Sequence, residues 1–264
     1  MHLQLFQVDA FAEQVFEGNP AAVVPLPEWL EDSLLQAIAN ENNLSETAFF
    51  VEGQDGFELR WFTPRAEVDL CGHATLASAH VLFRHLGHES DQIRFHTRSG
   101  LLTVSREGEV MAMDLPAVAS EAIVLPDALV AGLGALPKLV LAATDHIAVF
   151  DSEDDIIALR PDFARLEQLD LRGVIATAPG RSFDFVSRCF YPKLDVDEDP
   201  VTGSAHCQTA PYWAARLGRS ALRGRQLSGR GGTVHCRVEG DRVILMGQAV
   251  DYLNGTIRVD APRR

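Results

Sequence analysis

The chain has 264 residues, a formal net charge of −14 at pH 7 and four cysteines; 47% of its residues are hydrophobic and 23% are charged. This composition is typical of a globular enzyme, and the length suits one large domain or two of about 130 residues. The negative charge argues against nucleic acid or an anionic membrane as a partner. No apolar run reaches the roughly 18 residues of a membrane span, and no leader pattern opens the chain. Because the cysteines lack CxxC spacing, we expect reduced thiols and a cytoplasmic protein.

The first half of the chain combines short alternating apolar stretches with two helical patterns. Pro27 opens an amphipathic helix, and a nearly all-apolar pattern from Gly72 to Gly87 predicts a buried helix that ends at a glycine cap. Strands are predicted around residues 3–11, 21–24, 45–51, 57–62, 93–97, 100–105 and 110–115.

The second half repeats this order after a proline-punctuated stretch at residues 116–137, where we place the domain crossover. Strand patterns at 139–150, 173–178 and 183–190 surround a short helix at 161–169. A second buried helix is predicted from Gly203 to Gly218, and Pro211 should kink it.

The two halves share a degenerate internal repeat. The segment from Phe62 to Ala74 and the segment that begins at Phe190 both read aromatic, proline, base, acid, then glycine at a helix start. Ordered self-similarity of this kind indicates a duplication. We therefore predict an α+β fold of two pseudo-symmetric domains, each a curled mixed β-sheet around a central helix. The predicted domains are residues 1–118, completed by a strand within 250–262, and residues 119–249.

The starts of the two buried helices are the first candidate binding positions. Gly72 and Gly203 would let a ligand approach the unpaired N–H groups and partial positive charge of a helix N-terminus. If both ends face a shared cleft, they would hold a carboxylate and stabilise an enolate-like charge. The alternative is that each glycine only begins a helix.

Glu46 is the candidate general base. It stands where a loop enters an apolar strand, so partial desolvation would raise its pKa and make it a better base near neutral pH. An exposed acid at a strand start is the alternative. His73 and Asp199 are the candidate polar partners, because histidine titrates near neutral pH and Asp199 precedes the second helix start. Local capping or an ion pair would explain each equally simply.

Cys71 directly precedes Gly72, and a thiol at a helix N-terminus can have a lowered pKa. The alternative is a small buried residue. The spacing of the histidines predicts no metal site: His206 and His73 form no HxxxH or HxH pair, and His80 and His85 are five residues apart, which does not align them on a helix. No Walker loop, dinucleotide fingerprint or nucleophile elbow is present.

Several segments together resemble the phenazine-biosynthesis PhzF-like family, and the resemblance spans nearly the whole chain. The segments that carry it are Gln7–Phe11, Gly18–Val23, Asn43–Thr47, Gly72-His73 and Glu198–Ala205. The resemblance implies the diaminopimelate-epimerase-like fold with the site between two halves. It also implies proton-transfer chemistry without a cofactor and a tendency to form homodimers.

Carried over by position, the resemblance makes Glu46 the proton-shuttling acid/base. It places His73, Asp199 and Ser204 around the substrate, with Asn19 and the backbones of Gly72 and Gly203 nearby. The chain departs from the family in having Cys71 before Gly72-His73, where a small residue is usual. That position resembles the first catalytic cysteine of cysteine-pair epimerases, but no second cysteine stands around Asp199-Pro200.

These observations predict a cofactor-independent isomerase that acts on a small anionic, carboxylated metabolite. Two other functions stay open at this point. One is an amino- or hydroxy-acid racemase or epimerase that uses Cys71 as a proton carrier. The other is a metabolite-binding protein that has kept the fold without the chemistry.

Overall fold

The computed structural model describes residues 1–260, which divide into two compact units. Unit 1 contains Met1–Asp114 and the segment that begins at Met246, whereas unit 2 is Leu115–Leu245. The predicted boundaries at residues 118 and 249 lie four residues beyond these divisions. The end of the predicted closing strand, at residues 261–262, lies outside the described residues.

The strands follow one another closely along the chain. In chain order they are β1 (His2–Ala10), β2 (Asn19–Leu26), β3 (Glu46–Gly53), β4 (Gly56–Phe62), β5 (Glu67–Val68), β6 (Gln92–Thr97), β7 (Gly100–Glu107), β8 (Val110–Pro116), β9 (Glu121–Ala122), β10 (Leu139–Ala142), β11 (His146–Val149), β12 (Val174–Pro179), β13 (Phe185–Tyr191), β14 (Val196–Asp199), β15 (Ala221–Gln226), β16 (Gly232–Glu239), β17 (Arg242–Gly247) and β18 (Ala249–Arg258).

The helices are fewer and mostly short. They are α1 (Asp32–Asn42), α2 (Gly72–Arg84), α3 (Asp127–Leu133), α4 (Glu153–Ala158), α5 (Phe163–Leu166) and α6 (Gly203–Leu217), and a single 3₁₀ turn covers Pro192–Leu194. No helix within residues 1–260 has the length and apolar character needed to cross a membrane.

The two units use the same alternation of strand directions. In unit 1, β1/β2 is antiparallel, β2/β3 parallel, β3/β4 antiparallel, β4/β6 parallel and β6/β7 antiparallel. In unit 2, the pairs β10/β11, β11/β12, β12/β13, β13/β15 and β15/β16 follow the same sequence of directions. A long helix enters between corresponding strands in each unit, α2 before β6 and α6 before β15. The predicted α+β fold with two similar halves is therefore confirmed.

The last strand of the chain completes the sheet of unit 1. β18 pairs antiparallel with β1 along its length, from His2 opposite Arg258 to Ala10 opposite Ala249, with one bulge near Val8. One apolar cluster of unit 1 includes Leu35 and Ile38 of α1 together with Phe49 of β3. Both chain regions of unit 1 thus contribute to one core.

The two central helices are buried on most sides, as their apolar patterns predicted. The buried residues of α2 run from His73 to Leu82 with a single interruption at His80, and those of α6 include Trp213, which donates a hydrogen bond to Thr177. α6 continues through Pro211 and ends at Gly218, whose φ of +67° suits glycine.

Three predicted helices have different bounds in the structure, and one of them is α5, which covers Phe163–Leu166 rather than residues 161–169. α1 begins at Asp32 rather than Pro27. α2 ends at Arg84, three residues before Gly87, because the carbonyl of Val81 accepts hydrogen bonds from both His85 and Leu86 as the last turn loosens.

Candidate active site

The first turn of α2 in unit 1 begins without a side-chain cap. Cys71 occupies the N-cap position in an extended conformation (φ −145°, ψ 105°), and its side chain makes no capping hydrogen bond. Its carbonyl accepts hydrogen bonds from the backbone N–H and the hydroxyl of Thr75. The start of the helix therefore keeps the partial positive charge of its N–H groups, with Gly72 as its first residue.

Glu46 and His73 meet at this helix start. Glu46 is the first residue of β3, and its Oε2 lies 3.0 Å from Nε2 of His73. The two side chains are only 18% and 7% exposed. Oε2 of Glu46 is buried and accepts no aligned hydrogen bond, so the contact is one of charge and proximity.

Cys71 joins the same cluster. Its Sγ lies 3.5 Å from Nδ1 and 3.9 Å from Nε2 of His73. The thiol, imidazole and carboxylate groups all approach within 4.8 Å of one another. The sequence left open whether Glu46 and Cys71 share a site, and the structure brings them together.

The pKa values of Cys71 and His73 are both raised. Burial raises the pKa of the Cys71 thiol to about 11, and the charge of Glu46 adds to this effect. The lowered pKa expected from the helix start is therefore wrong, because desolvation outweighs the helix N-terminus and His73. Burial alone would lower the pKa of His73, but the adjacent Cys71 and Glu46 raise it well above its ordinary value.

The grouping of Glu46, Cys71 and His73 also has donor types that can ligate a metal ion. Spacing along the sequence did not show this, because Glu46 belongs to β3 and precedes the first residue of α2, Gly72, by 26 residues (72 − 46). The same three groups are equally able to exchange protons, since an acid and a base stand at 3.0 Å.

Asn19 lies on the neighbouring strand in unit 1. It begins β2, is fully buried, and precedes by two residues Ala21, which pairs with Glu46. The strand register thus places Asn19 at the end of the sheet where Glu46 enters β3.

Asp199 and Gly203 lie in unit 2, at the start of α6. Oδ2 of Asp199 accepts a hydrogen bond from the Thr202 hydroxyl at 2.5 Å. Gln226 then binds both residues, since its Nε2 donates to the backbone carbonyl of Asp199 at 2.7 Å and its Oε1 accepts from the Thr202 N–H at 2.9 Å. This helix start is held by a closed network.

Cys189 stands opposite Asp199 in the register of β13 and β14. The sequence showed no second cysteine around Asp199-Pro200, so this neighbour was missed. Cys189 is fully buried, and burial raises the pKa of its thiol far above the ordinary value.

Ser204 belongs to a second network in unit 2, which sequence reasoning missed. Its hydroxyl accepts a hydrogen bond from Nη2 of Arg172 at 3.1 Å. Arg172 in turn makes a two-pronged ion pair with the fully buried Asp145, at 2.9 and 2.6 Å. Gln208 also donates to Asp145 at 2.7 Å.

Only one part of this network left a signal in the sequence. Gln208 follows Ser204 by four residues, which places both on one face of a helix. Arg172 and Asp145 are 27 residues apart on loops that precede β12 and β11, and neither loop has a recognisable motif. His206 is buried on the same helix, where its Nδ1 is 2.8 Å from the carbonyl of Thr202.

Comparison with known proteins confirms the resemblance found in the sequence. The PhzC-PhzF family, described as phenazine biosynthesis-like protein, matches residues 8–255. An uncharacterized isomerase of Pseudomonas aeruginosa is 55% identical over 98% of this chain and its own whole length. An uncharacterized isomerase of Halalkalibacterium halodurans is 48% identical over 97% of this chain and 99% of its own.

Solved structures agree with the fold. The PhzF-family phenazine biosynthesis protein of Enterococcus faecalis has a TM-score of 0.96 and 45% identity, and covers 98% of this chain and all of its own. A hydroxyproline epimerase of Agrobacterium vitis, at 10% identity and a TM-score of 0.62 over 99% of this chain and 94% of its own, shares the fold. The chain belongs to the phenazine biosynthesis-like PhzC-PhzF family and is an enzyme of the isomerase class for which its relatives are named.

Proposed function

We propose that this isomerase moves a proton between carbons of a small carboxylated metabolite without a cofactor, with Glu46 as the acid/base. The observation that carries the proposal is the contact at 3.0 Å between Oε2 of Glu46 and Nε2 of His73 at the start of α2. Moving a proton between two carbon atoms requires a base that removes it and an acid that returns it.

The proposed reaction needs only these groups and the substrate. The Glu46 carboxylate takes a proton from a C–H bond, and the electron pair of that bond passes into an enolate or extended dienolate. The carboxyl of Glu46 then returns the proton to a different carbon, so the product has the same atoms as the substrate. His73, whose pKa is raised, stands beside Glu46 as the charged partner and as a second proton donor.

The surroundings of Glu46 support this role. Its Oε2 is buried and has Nε2 of His73 3.0 Å away, so the group that faces the proton-accepting oxygen is itself able to exchange a proton. The neighbouring helix start at Gly72 supplies N–H groups and partial positive charge to a developing anion.

A carboxylated substrate is proposed for two reasons. The uncapped start of α2 favours an anionic ligand. In unit 2, the start of α6 has the same extended, uncapped geometry at Thr202, and the Arg172 guanidinium reaches the hydroxyl of Ser204. We propose that Asp199, Gly203 and Ser204 bind the substrate.

Racemisation or epimerisation through Cys71 is the second candidate, and one observation favours it. The Cys71 sulfur lies 3.5 Å from Nδ1 of His73, so a proton could pass between them. The pKa of about 11 opposes this role, because a thiol at neutral pH would then stay protonated in the free enzyme. We therefore favour Glu46 as the base.

Proton NMR in deuterated water tests the proposal directly. The protein would be incubated with a panel of cyclic diene acids, amino acids and hydroxy acids, beside the Glu46→Gln and Cys71→Ala variants. We expect deuterium to enter a C–H position of at least one acid, and we expect Glu46→Gln to abolish this exchange while Cys71→Ala keeps it. Exchange that depends on Cys71 and not on Glu46 would replace the proposal by the racemase reaction.

We also propose that the protein is a cytoplasmic homodimer, as the family resemblance implies. Light scattering on the purified protein would then give twice the chain mass of 28.9 kDa. A mass of one chain at micromolar concentration would contradict this part of the proposal.

A further inference from the structure

A second cluster of potential metal ligands lies in unit 1, at the opposite end of α2 from Glu46. Nε2 of His80 is 3.1 Å from Oδ1 of Asp251, and Nε2 of His85 is 2.9 Å from the same oxygen. All three ligand atoms lie within 4.8 Å of one another. From this geometry we propose that His80, His85 and Asp251 bind a divalent transition-metal ion such as Zn²⁺.

The end of α2 explains why two histidines five residues apart converge. Five residues of a regular helix separate two side chains by roughly 140° around its axis, which is why their spacing alone predicted no site. α2 stops at Arg84, and the hydrogen bonds of His85 and Leu86 both return to the carbonyl of Val81. At this end of the helix, Nε2 of His80 and Nε2 of His85 both reach Oδ1 of Asp251. The prediction that these residues do not align is therefore wrong.

The ring of His85 is also held in place by packing. It lies against Phe6 of β1, with ring centroids 4.8 Å apart and an interplanar angle of 32°. Asp251 comes from β18, the strand that pairs with β1. The three ligands therefore project from a helix end and a sheet that are packed together, which is the rigid support a metal site needs.

The donor set selects the class of ion. Two imidazole nitrogens and one carboxylate oxygen suit Zn²⁺, Co²⁺ or Ni²⁺, whereas Ca²⁺ and Mg²⁺ prefer oxygen donors. Metal–ligand bonds of about 2.0–2.1 Å at tetrahedral angles place neighbouring donor atoms about 3.3 Å apart. The histidine nitrogens now lie 2.9 and 3.1 Å from Oδ1 of Asp251, so these atoms need to move apart only slightly to reach this distance.

A metal ion can also reach the three side chains from solvent. The side chains of His80, His85 and Asp251 are 13%, 22% and 35% exposed, so an ion can enter from solvent and water can fill the fourth position. The competing explanation is that both histidines merely donate hydrogen bonds to Asp251.

Metal binding would have a mechanical result for unit 1. His80 and Asp251 are 171 residues apart in the chain, so a shared ion would tie the central helix to the last described strand. Because the folded state alone presents all three ligands, the metal would stabilise unit 1 against unfolding.

Titration calorimetry with zinc chloride tests the proposal on protein first stripped with a chelator. Cys71→Ser is the background for all measurements, because the cluster of Glu46, Cys71 and His73 is another potential site. We expect one equivalent of Zn²⁺ to bind in this background and to raise Tm by about 5 °C at saturation. A cobalt(II) absorption spectrum would independently report nitrogen and oxygen ligation.

Three further variants distinguish a metal site from a hydrogen-bonded triad. His85→Gln and Asp251→Asn remove partly exposed ligands and should weaken Zn²⁺ binding at least tenfold. His88→Gln is the matched control, since His88 is a half-buried histidine in the same region whose Nε2 lies 3.2 Å from the carbonyl of Gln92. Absence of binding in the Cys71→Ser background, or binding that both ligand variants leave unchanged, would overturn the proposal.

Discussion

The starts of α2 and α6 share a backbone arrangement but differ in what surrounds them. Each helix begins at a glycine after an extended residue, Cys71 or Thr202, whose side chain makes no cap. At α2 the carboxylate of Glu46 has a buried oxygen without an aligned hydrogen-bond donor. At α6 the carboxylate of Asp199 accepts a bond from the Thr202 hydroxyl and lies within a network that Gln226 completes.

The two carboxylates are therefore suited to different tasks. A carboxylate with an open lone pair can exchange a proton, whereas a carboxylate held by fixed donors keeps one orientation. We infer that the start of α2 is equipped for proton transfer and that the start of α6 is equipped to hold a ligand in a fixed orientation. Substitutions at the two helix starts test this difference.

Replacement of Glu46 should have the largest effect. Glu46→Gln keeps the shape of the side chain but removes its ability to take a proton, so turnover of the substrate found by deuterium exchange should fall about 100-fold or more. Glu52→Gln, an exposed change on the same strand, is the control and should leave turnover unchanged. Full activity of Glu46→Gln would remove unit 1 from the proton-transfer role.

Breaking the ion pair between Asp145 and Arg172 in unit 2 should lower the stability of the protein. Asp145→Asn leaves Arg172 without its charged partner, and because the Arg172 side chain is 34% exposed we expect the free energy of unfolding to fall by about 3 kcal/mol. Urea denaturation would measure the loss. Asp151→Asn removes an exposed pair with Lys138 and should cost less than about 1 kcal/mol. Equal losses would show that the network around Asp145 is not structural.

Acid should destabilise unit 2 through His206. The pKa of this histidine is lowered to about 4 by burial, and its Nε2 has no hydrogen-bond partner. In the unfolded chain the pKa of His206 is about 6.5, so below this pH the unfolded chain binds a proton that the folded chain does not bind. The free energy of unfolding therefore falls by about 3 kcal/mol as the pH drops from 6.5 to 4.

Urea denaturation at several pH values would measure this contribution. His206→Asn keeps a donor near the Thr202 carbonyl, and it should reduce the slope of unfolding free energy against pH whatever its effect on absolute stability. An unchanged slope between pH 6.5 and 4 would assign the acid sensitivity to other groups.

Loss of the Asp199 charge should impair substrate binding about tenfold, the usual effect of one charge-assisted hydrogen bond. Asp199→Asn would be compared by KM and kcat with Asp197→Asn, an exposed change on the same short strand. A KM equal to that of the control would exclude Asp199 from binding.

The smallest effect is expected for Cys71→Ala. With its pKa raised to about 11, the thiol is protonated at neutral pH, so its removal should change turnover by less than about threefold. A loss comparable with that of Glu46→Gln would show that unit 1 uses two proton carriers.

The sequence predicted the features that depend on local patterns. The repeated glycines at helix starts and the alternating apolar strands were sufficient for two similar halves, because neither requires knowledge of distant contacts. Glu46 was singled out by its position at the entry to an apolar strand, and the structure places it beside His73.

The features that the sequence did not predict arise from contacts between distant segments. Arg172 meets Asp145 only because two loops end at adjacent strands, β11 and β12. His80 and His85 come together through Asp251, which belongs to a strand more than 160 residues later in the chain. The raised pKa of Cys71 follows from burial, and burial is a property of the packed fold.

The pairing of β18 with β1 has a consequence for synthesis on the ribosome. The sheet of unit 1 lacks a strand until residues 249–258 have left the exit tunnel, although its other strands are made first. Unit 2 is encoded by one uninterrupted stretch and can finish its sheet earlier. The second half of the chain is thus able to fold before the first, with β1 exposed as an open sheet edge for most of translation.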